Sequence, residues 1–125
     1  MTLAGAMLFV KDLPRMTAFY AEVLGLRPIE VTRLPEWVEF HGAAQFSLHA
    51  IPAAIAAGIS IESPPVVRAQ AGTKLTFVVA DVEATLATIE SMGLPLLKRP
   101  WGGIEVVDPE GNLFTLRSPE TAPES

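Results

Sequence analysis

No cysteine occurs in this chain, and its absence removes disulfides, thiolate metal centres and thiol nucleophiles together. Histidine is nearly as scarce: His41 and His49 are the only two, so little imidazole is on hand for metal ligation or general-base work. Basic residues are few and dispersed, nine Lys and Arg against fourteen Asp and Glu for a net charge of −5, with an isoelectric point near 4.9. Polyanion binding draws on clustered cations. A nucleic-acid partner is therefore not expected, and an acidic surface suits a cationic or neutral ligand better. Long hydrophobic runs are missing too, since none nears the roughly 20 residues of a membrane-spanning helix. The opening Met1-Thr2-Leu3-Ala4-Gly5 has neither the basic start nor the apolar stretch of a signal peptide, and Lys11 and Asp12 arrive too early for one. The expectation is a cytoplasmic protein without membrane contact.

What is present is apolar residue in quantity, half of 125 positions, enough for one domain with a sizeable core and too much for a disordered chain. Ala6-Met7-Leu8-Phe9-Val10 is a short apolar run followed by Asp12, a good helix N-cap. From Pro14, which a first helical turn tolerates, Met16, Phe19, Tyr20, Val23 and Leu24 recur at helical spacing until Gly25 supplies a stop. The same order returns in Leu75-Thr76-Phe77-Val78-Val79, then Asp81, then Val82, Leu86, Ile89 and Met92 on one helical face, then Gly93. Asp12 and Asp81 lie 69 residues apart, Gly25 and Gly93 68 apart. Both aspartates are read as caps without a chemical role.

Beyond Gly25 the alternation of Ile29 and Val31 after Pro28, then residues 37–41, then residues 45–50 past Gly42-Ala43-Ala44, predicts three antiparallel strands. Beyond Gly93, residues 105–117 read as a β-hairpin about Asp108-Pro109-Glu110-Gly111-Asn112. There Pro109 pre-sets φ, Asp108 accepts backbone N–H bonds and Gly111 takes a left-handed residue at no steric cost. Two such units imply an α+β fold of two βαβββ modules with each helix laid across a sheet. The expected organisation is a single domain over residues 1–118, with module one at about 4–51, a linker at about 52–73, module two at about 74–118 and a flexible tail at 119–125. Strand alternation turns Leu8, Val10, Val38, Phe40, Phe46, Leu48, Leu75, Phe77, Val79, Phe114 and Leu116 toward the helices. The opposite faces carry Met7, Phe9, Trp37, Glu39, His41, Ser47, His49, Lys74, Thr76, Thr115 and Arg117, an unusual set for a merely solvated surface.

Phe9-Val10-Lys11-Asp12-Leu13, the Phe19-Tyr20 pair before Leu24-Gly25-Leu26, and Trp101-Gly102-Gly103 ahead of Asp108-Pro109-Glu110-Gly111-Asn112 resemble the vicinal oxygen chelate superfamily of glyoxalase I, bleomycin resistance proteins and extradiol dioxygenases. The resemblance covers nearly the whole chain to about Pro119. It implies a curved mixed sheet forming a cup with helices on its convex face, usually completed in a homodimer, and says little about function. Members that are metalloenzymes hold a divalent ion with His, Glu or Gln, and those ligand positions fall here on Gly5, near Ser47, on Lys74 and on Thr115. None of the four matches. Glycine has no donor, hydroxyls ligate such ions weakly and an ammonium repels a cation. A two-residue shift would put His49 at the Ser47 position, which still supplies only one imidazole.

The cavity candidates are Phe9, Trp37, Glu39, His41, Ser47, His49, Lys74, Trp101, Glu105, Thr115 and Arg117. His41 and His49 suit a ligand or base role, or simply half-buried, satisfied rings. Trp37 and Trp101 suit stacking on a planar ligand, or core and dimer contacts. Lys74 and Arg117 suit an anionic group, or pairing with Glu39 and Glu105, the plainer option. Glu39, Glu105, His41 and His49 together would make an unconventional metal site. The expectation is a metal-free, cofactor-free protein that sequesters a drug or aromatic metabolite as a homodimer. The alternatives are a metal-dependent lyase, dioxygenase or epimerase with a displaced ligand set, and a metal-free structural or sensing module. No catalytic residue is assigned.

Overall fold

Asp12 and Asp81 start both helices through their side chains: Oδ1 of Asp12 accepts the Arg15 N–H at 3.1 Å and Oδ1 of Asp81 the Ala84 N–H at 3.0 Å. Each such cap contributes about 1 kcal/mol. The computed structural model describes residues 1–68, 72–100 and 103–119. Helix α1, Leu13–Ala18, runs on into a π-helical turn over Phe19–Val23, closed by the Leu24 N–H on the Phe19 carbonyl at 3.4 Å. A π-turn closes its hydrogen bonds one residue later than an α-turn. It absorbs the one extra residue by which the first copy of the repeat exceeds the second between aspartate and glycine. Gly25 and Gly93 then end the two helical segments at φ +77° and +74°, where a Cβ is penalised.

Two units divide the chain, Met1–Ser60 and Ile61–Ser125. In the first, β1 (Gly5–Val10), β2 (Trp37–Phe40) and β3 (Gln45–Ala50) form a sheet in the order β1-β3-β2. The second holds β4 (Leu75–Val78), β5 (Leu96–Lys98), β6 (Ile104–Val107) and β7 (Leu113–Arg117) in the order β4-β7-β6-β5. Each sheet is mixed, because the opening strand runs parallel to the last strand of its unit and the rest are antiparallel. The parallel pair is what the intervening helix permits: the chain must cross over before it can return alongside its start. In the first unit Met16, Phe19, Tyr20 and Leu24 are buried, and the Tyr20 ring lies 5.2 Å from Phe46. Helix α3, Val82–Ser91, buries Leu86 and Ile89. Burial of each such side chain contributes roughly 1.5–3 kcal/mol.

The first of the three strands expected after Gly25 is reduced to a short ladder. Ile29 and His41 donate backbone N–H bonds to Glu39 and Arg27 at 2.8 Å each. The chain then turns into a 3₁₀ segment, Glu30–Thr32. Thr32 Oγ1 donates to the Ile29 carbonyl at 2.7 Å and accepts the Glu39 N–H at 3.0 Å. A threonine hydroxyl thus takes the edge donor that a continuing strand would have used.

Between the two sheets in sequence, helix α2, Ala53–Ala56, belongs to the first unit, and residues 65–68 cover the hairpin turn of the second. That turn is buried. Asp108, with no exposed surface, accepts the N–H groups of Glu110 and Asn112 on Oδ1 and the Asn112 amide on Oδ2, all at 2.9 Å. Arg68 donates its backbone N–H to Gly111 at 3.2 Å and its Nε to the Glu110 carbonyl at 3.0 Å. Gly111 sits at φ +89°, and a Cβ there would lie 2.6 Å from the Val66 carbonyl oxygen. Among the described residues no helix is long and apolar enough to cross a membrane.

Candidate functional site

The registers set out which side chains share a face. In the first unit Met7 lies beside Ser47 and Ser47 beside Glu39, while Phe9 lies beside His49 and His49 beside Trp37. All therefore stand on the sheet face turned away from the helix. Phe9 is 55% exposed and Met7 45%. His49 is half-buried, its ring 5.4 Å from that of Phe9 and its Nδ1 2.8 Å from the Ala50 carbonyl oxygen. A carbonyl only accepts, so in the neutral ring Nδ1 carries the proton and Nε2 is the free acceptor. Glu39 accepts the Gln45 amide at 2.8 Å, Ser47 is buried, and His41 is exposed just past β2.

Trp37 is the unsatisfied member of this face. Its indole Nε1 is buried with no hydrogen-bond partner among the described residues, and an indole nitrogen can only donate. Leaving such a donor unpaired costs about 1–3 kcal/mol. Trp37, Gly5, Met7, Gln45 and Ser47 line a cleft of about 260 Å³. A broader cleft of about 590 Å³ opens at the ends of β1 and β3, lined by Lys11, Glu36, His49 and the alanines of α2.

In the second unit the corresponding face is charged. Glu105 is 4% exposed, and both carboxylate oxygens are held by cations. Lys74 Nζ donates to Oε2 at 2.7 Å, and Arg99 Nε donates to Oε1. The Lys74 bond first, then the Arg99 bond, hold the Glu105 carboxyl below the usual carboxylate range despite the opposing effect of burial. Thr76 and Thr115, register partners on β4 and β7, share a hydroxyl hydrogen bond of 2.6 Å. Arg117 lies two residues beyond Thr115 on the same face, half-buried, with its Nε enclosed and unpartnered among the described residues.

The structure thus gathers Phe9, Trp37, Glu39, Ser47 and His49 on one sheet and Lys74, Glu105, Thr115 and Arg117 on the other. The expected Lys74–Glu105 pair is present. Arg117 departs from the expectation of pairing: Glu39 is bonded to Gln45 and Glu105 to Lys74 and Arg99. Trp101 lies outside the described residues. Sequence reasoning missed Arg99, which sits past the end of β5, and Thr76 as the partner of Thr115. The short β5–β6 hairpin, pairing Lys98 with Ile104, was the signal that would have brought Arg99 to Glu105.

The four positions that the resemblance assigns to metal ligands do not fit a divalent ion. A Cβ at Gly5 would lie 2.1 Å from the Gln45 carbonyl oxygen, so a ligating side chain cannot be placed there while β1 keeps its register. Lys74 is bonded to Glu105 and Thr115 to Thr76. Among the described residues no three of His, Cys, Asp or Glu come together as a group that could hold a metal ion.

Comparison with known proteins places these features in context. The family model described as Glyoxalase/Bleomycin resistance protein/Dioxygenase superfamily matches residues 2–116. No curated protein matches the sequence. Among solved structures, a glyoxalase/bleomycin resistance protein/dioxygenase family enzyme from Burkholderia phytofirmans PsJN is 22% identical with a TM-score of 0.67, over 94% of this chain and 98% of that one. The fosfomycin resistance protein FosX from Listeria monocytogenes, complexed with Mn(II) and sulfate, is 18% identical with a TM-score of 0.68, over 94% and 89%. Lactoylglutathione lyase from Agrobacterium tumefaciens is 23% identical with a TM-score of 0.61, over 94% and 93%. At these identities the likeness establishes the shared α+β fold.

Proposed function

The chain belongs to the glyoxalase/bleomycin resistance protein/dioxygenase superfamily, and from that premise we propose that it is a metal-free member binding a small, partly aromatic molecule. On this reading it sequesters a drug or aromatic metabolite as a cytoplasmic homodimer. The observation that carries the proposal is the Trp37 Nε1, a buried donor without a partner among the described residues, beside a cleft of about 260 Å³. A planar ligand with a carbonyl oxygen would take that hydrogen and stack on the exposed apolar surface of Met7 and Phe9. The misfit of Gly5, Ser47, Lys74 and Thr115 to a divalent ion supports the metal-free part.

Benzamide is a suitable probe, with toluene as the control lacking the acceptor. Wild-type protein is expected to bind benzamide more tightly than toluene, read from tryptophan fluorescence and thermal shift. Trp37→Phe, which keeps an aromatic ring and removes the donor, should lose about tenfold for benzamide alone. Equal benzamide binding by Trp37→Phe overturns the Trp37 reading. Stoichiometric Ni, Zn, Fe or Mn in the purified protein, released by His49→Ala, overturns the metal-free one.

A further inference from the structure

The second unit poses a charge problem that its described residues leave unsolved. Lys74, Arg99 and Arg117 share a sheet face on which Glu105 is the single acidic side chain among the described strand residues. In a chain of net charge −5, this face is locally cationic. Glu105 engages Lys74 and Arg99 through both oxygens, which leaves Arg117 over. Its Nε is enclosed by protein and has no acceptor among the described residues. A guanidinium stays protonated at any physiological pH, so the nitrogen cannot shed its need by losing a proton. Enclosed charged donors without partners are among the costlier features a fold can carry.

The neighbours of Arg117 are suited to an anion. Val78 stands beside it on β4 and Thr115 two residues back on β7. Thr115 and Thr76 are hydrogen-bonded to each other. One of the two hydroxyls donates in that bond, and the proton of the other is free for an incoming oxygen. The guanidinium fork matches a carboxylate or phosphate in shape as well as charge.

We propose that Arg117, with the Thr76–Thr115 hydroxyl pair, forms an oxyanion-binding site on the face of the second unit's sheet, taking a small molecule that bears a carboxylate or phosphate group. Lys74 and Arg99 raise the local positive potential there, and Glu105 limits it by neutralising part of their charge. The site belongs to the second unit alone and does not depend on the Trp37 cleft. The two readings can therefore fail separately.

The test measures thermal unfolding of wild type, Arg117→Met and Arg117→Lys with benzoate, phenyl phosphate or neutral benzyl alcohol, at matched ionic strength. Benzoate and phenyl phosphate separate carboxylate from phosphate recognition. At least one of them is expected to raise the wild-type melting temperature by several degrees, with no rise from benzyl alcohol. Arg117→Met should lose the anion effect, weakening binding at least tenfold, and Arg117→Lys should keep part of it. Ligand-free Arg117→Met should be as stable as wild type or more so, because it removes an enclosed, unpartnered donor. A guanidinium serving only structure would give the reverse, a melting temperature several degrees lower. The proposal is overturned by that destabilisation, by an anion effect that persists in Arg117→Met, or by wild type that responds to neither anion. Benzamide binding should be the same in Arg117→Met and wild type. Its loss in that variant would overturn the independence of the two sites.

Discussion

Glu39 and Glu105 occupy the same place in the two copies of the fold, Glu39 opposite Ser47 and Glu105 opposite Thr115. Their surroundings differ. Glu39 accepts one amide hydrogen at an exposed edge, whereas Glu105 is buried between an ammonium and a guanidinium. Gly5 and Lys74 are likewise equivalent, each preceding the residue that pairs with Phe46 or Phe114. One position cannot accept a Cβ, while the other holds a lysine in an ion pair. His49 beside Phe9 corresponds to Arg117 beside Val78. The caps, helix stops and strand order are common to both units because they are backbone requirements. The side chains on the open faces answer to no such requirement, and one unit has an apolar face with an orphaned indole while the other is cationic.

The largest test of this contrast lies in the hairpin turns. Asp108→Ala strips partners from two backbone N–H groups inside a buried turn and is expected to cost about 3 kcal/mol or more. Ala43→Ser, in the exposed turn of the first unit, should stay within about 0.5 kcal/mol. Urea unfolding of the two variants measures both, and similar losses would erase the distinction between the turns.

Next comes Gly5. Gly5→Ala forces a methyl group into the Gln45 carbonyl, with an expected cost of about 2–3 kcal/mol from the displaced strand. Gly5→His should cost at least as much without acquiring tight divalent-metal binding. An undiminished stability with bound zinc would show that β1 can move aside.

The smallest effect is one of pH. Because the Glu105 carboxyl is held below its ordinary range in the folded protein, its contribution is present above that range and is lost as pH falls through the folded value. Glu105→Gln should therefore melt below wild type near neutrality, and the gap should close as pH falls through and below the ordinary carboxylate range. A Glu105→Gln gap that holds constant into acid would mean that the ion pairs contribute nothing.

Much of the framework was legible because its signals are local. An aspartate three residues before the N–H it caps, a glycine at a helix end and a five-residue turn built on Asp108 each act within a few bonds of the chain. The Lys74–Glu105 pair was legible from strand alternation. Thr32 taking the edge donor of Glu39 was not, because it requires a 3₁₀ turn to bring the hydroxyl back across the chain. Nor was the burial of the Asp108 turn, which depends on residues 65–68 passing over it. The π-turn stands between the two cases: the one-residue difference in the repeat announced an insertion, and only the helix showed where it was taken up.

By itself the sequence determined a duplicated α+β module with its caps and stops. These follow from residue type and spacing, which hold in any packing. Tertiary structure alone decided that Gly5 admits no side chain, that Arg99 joins Lys74 on Glu105, and that Trp37 and Arg117 are left with enclosed donors. Each of those depends on the distance between atoms on different strands, which sheet register creates and linear order does not contain.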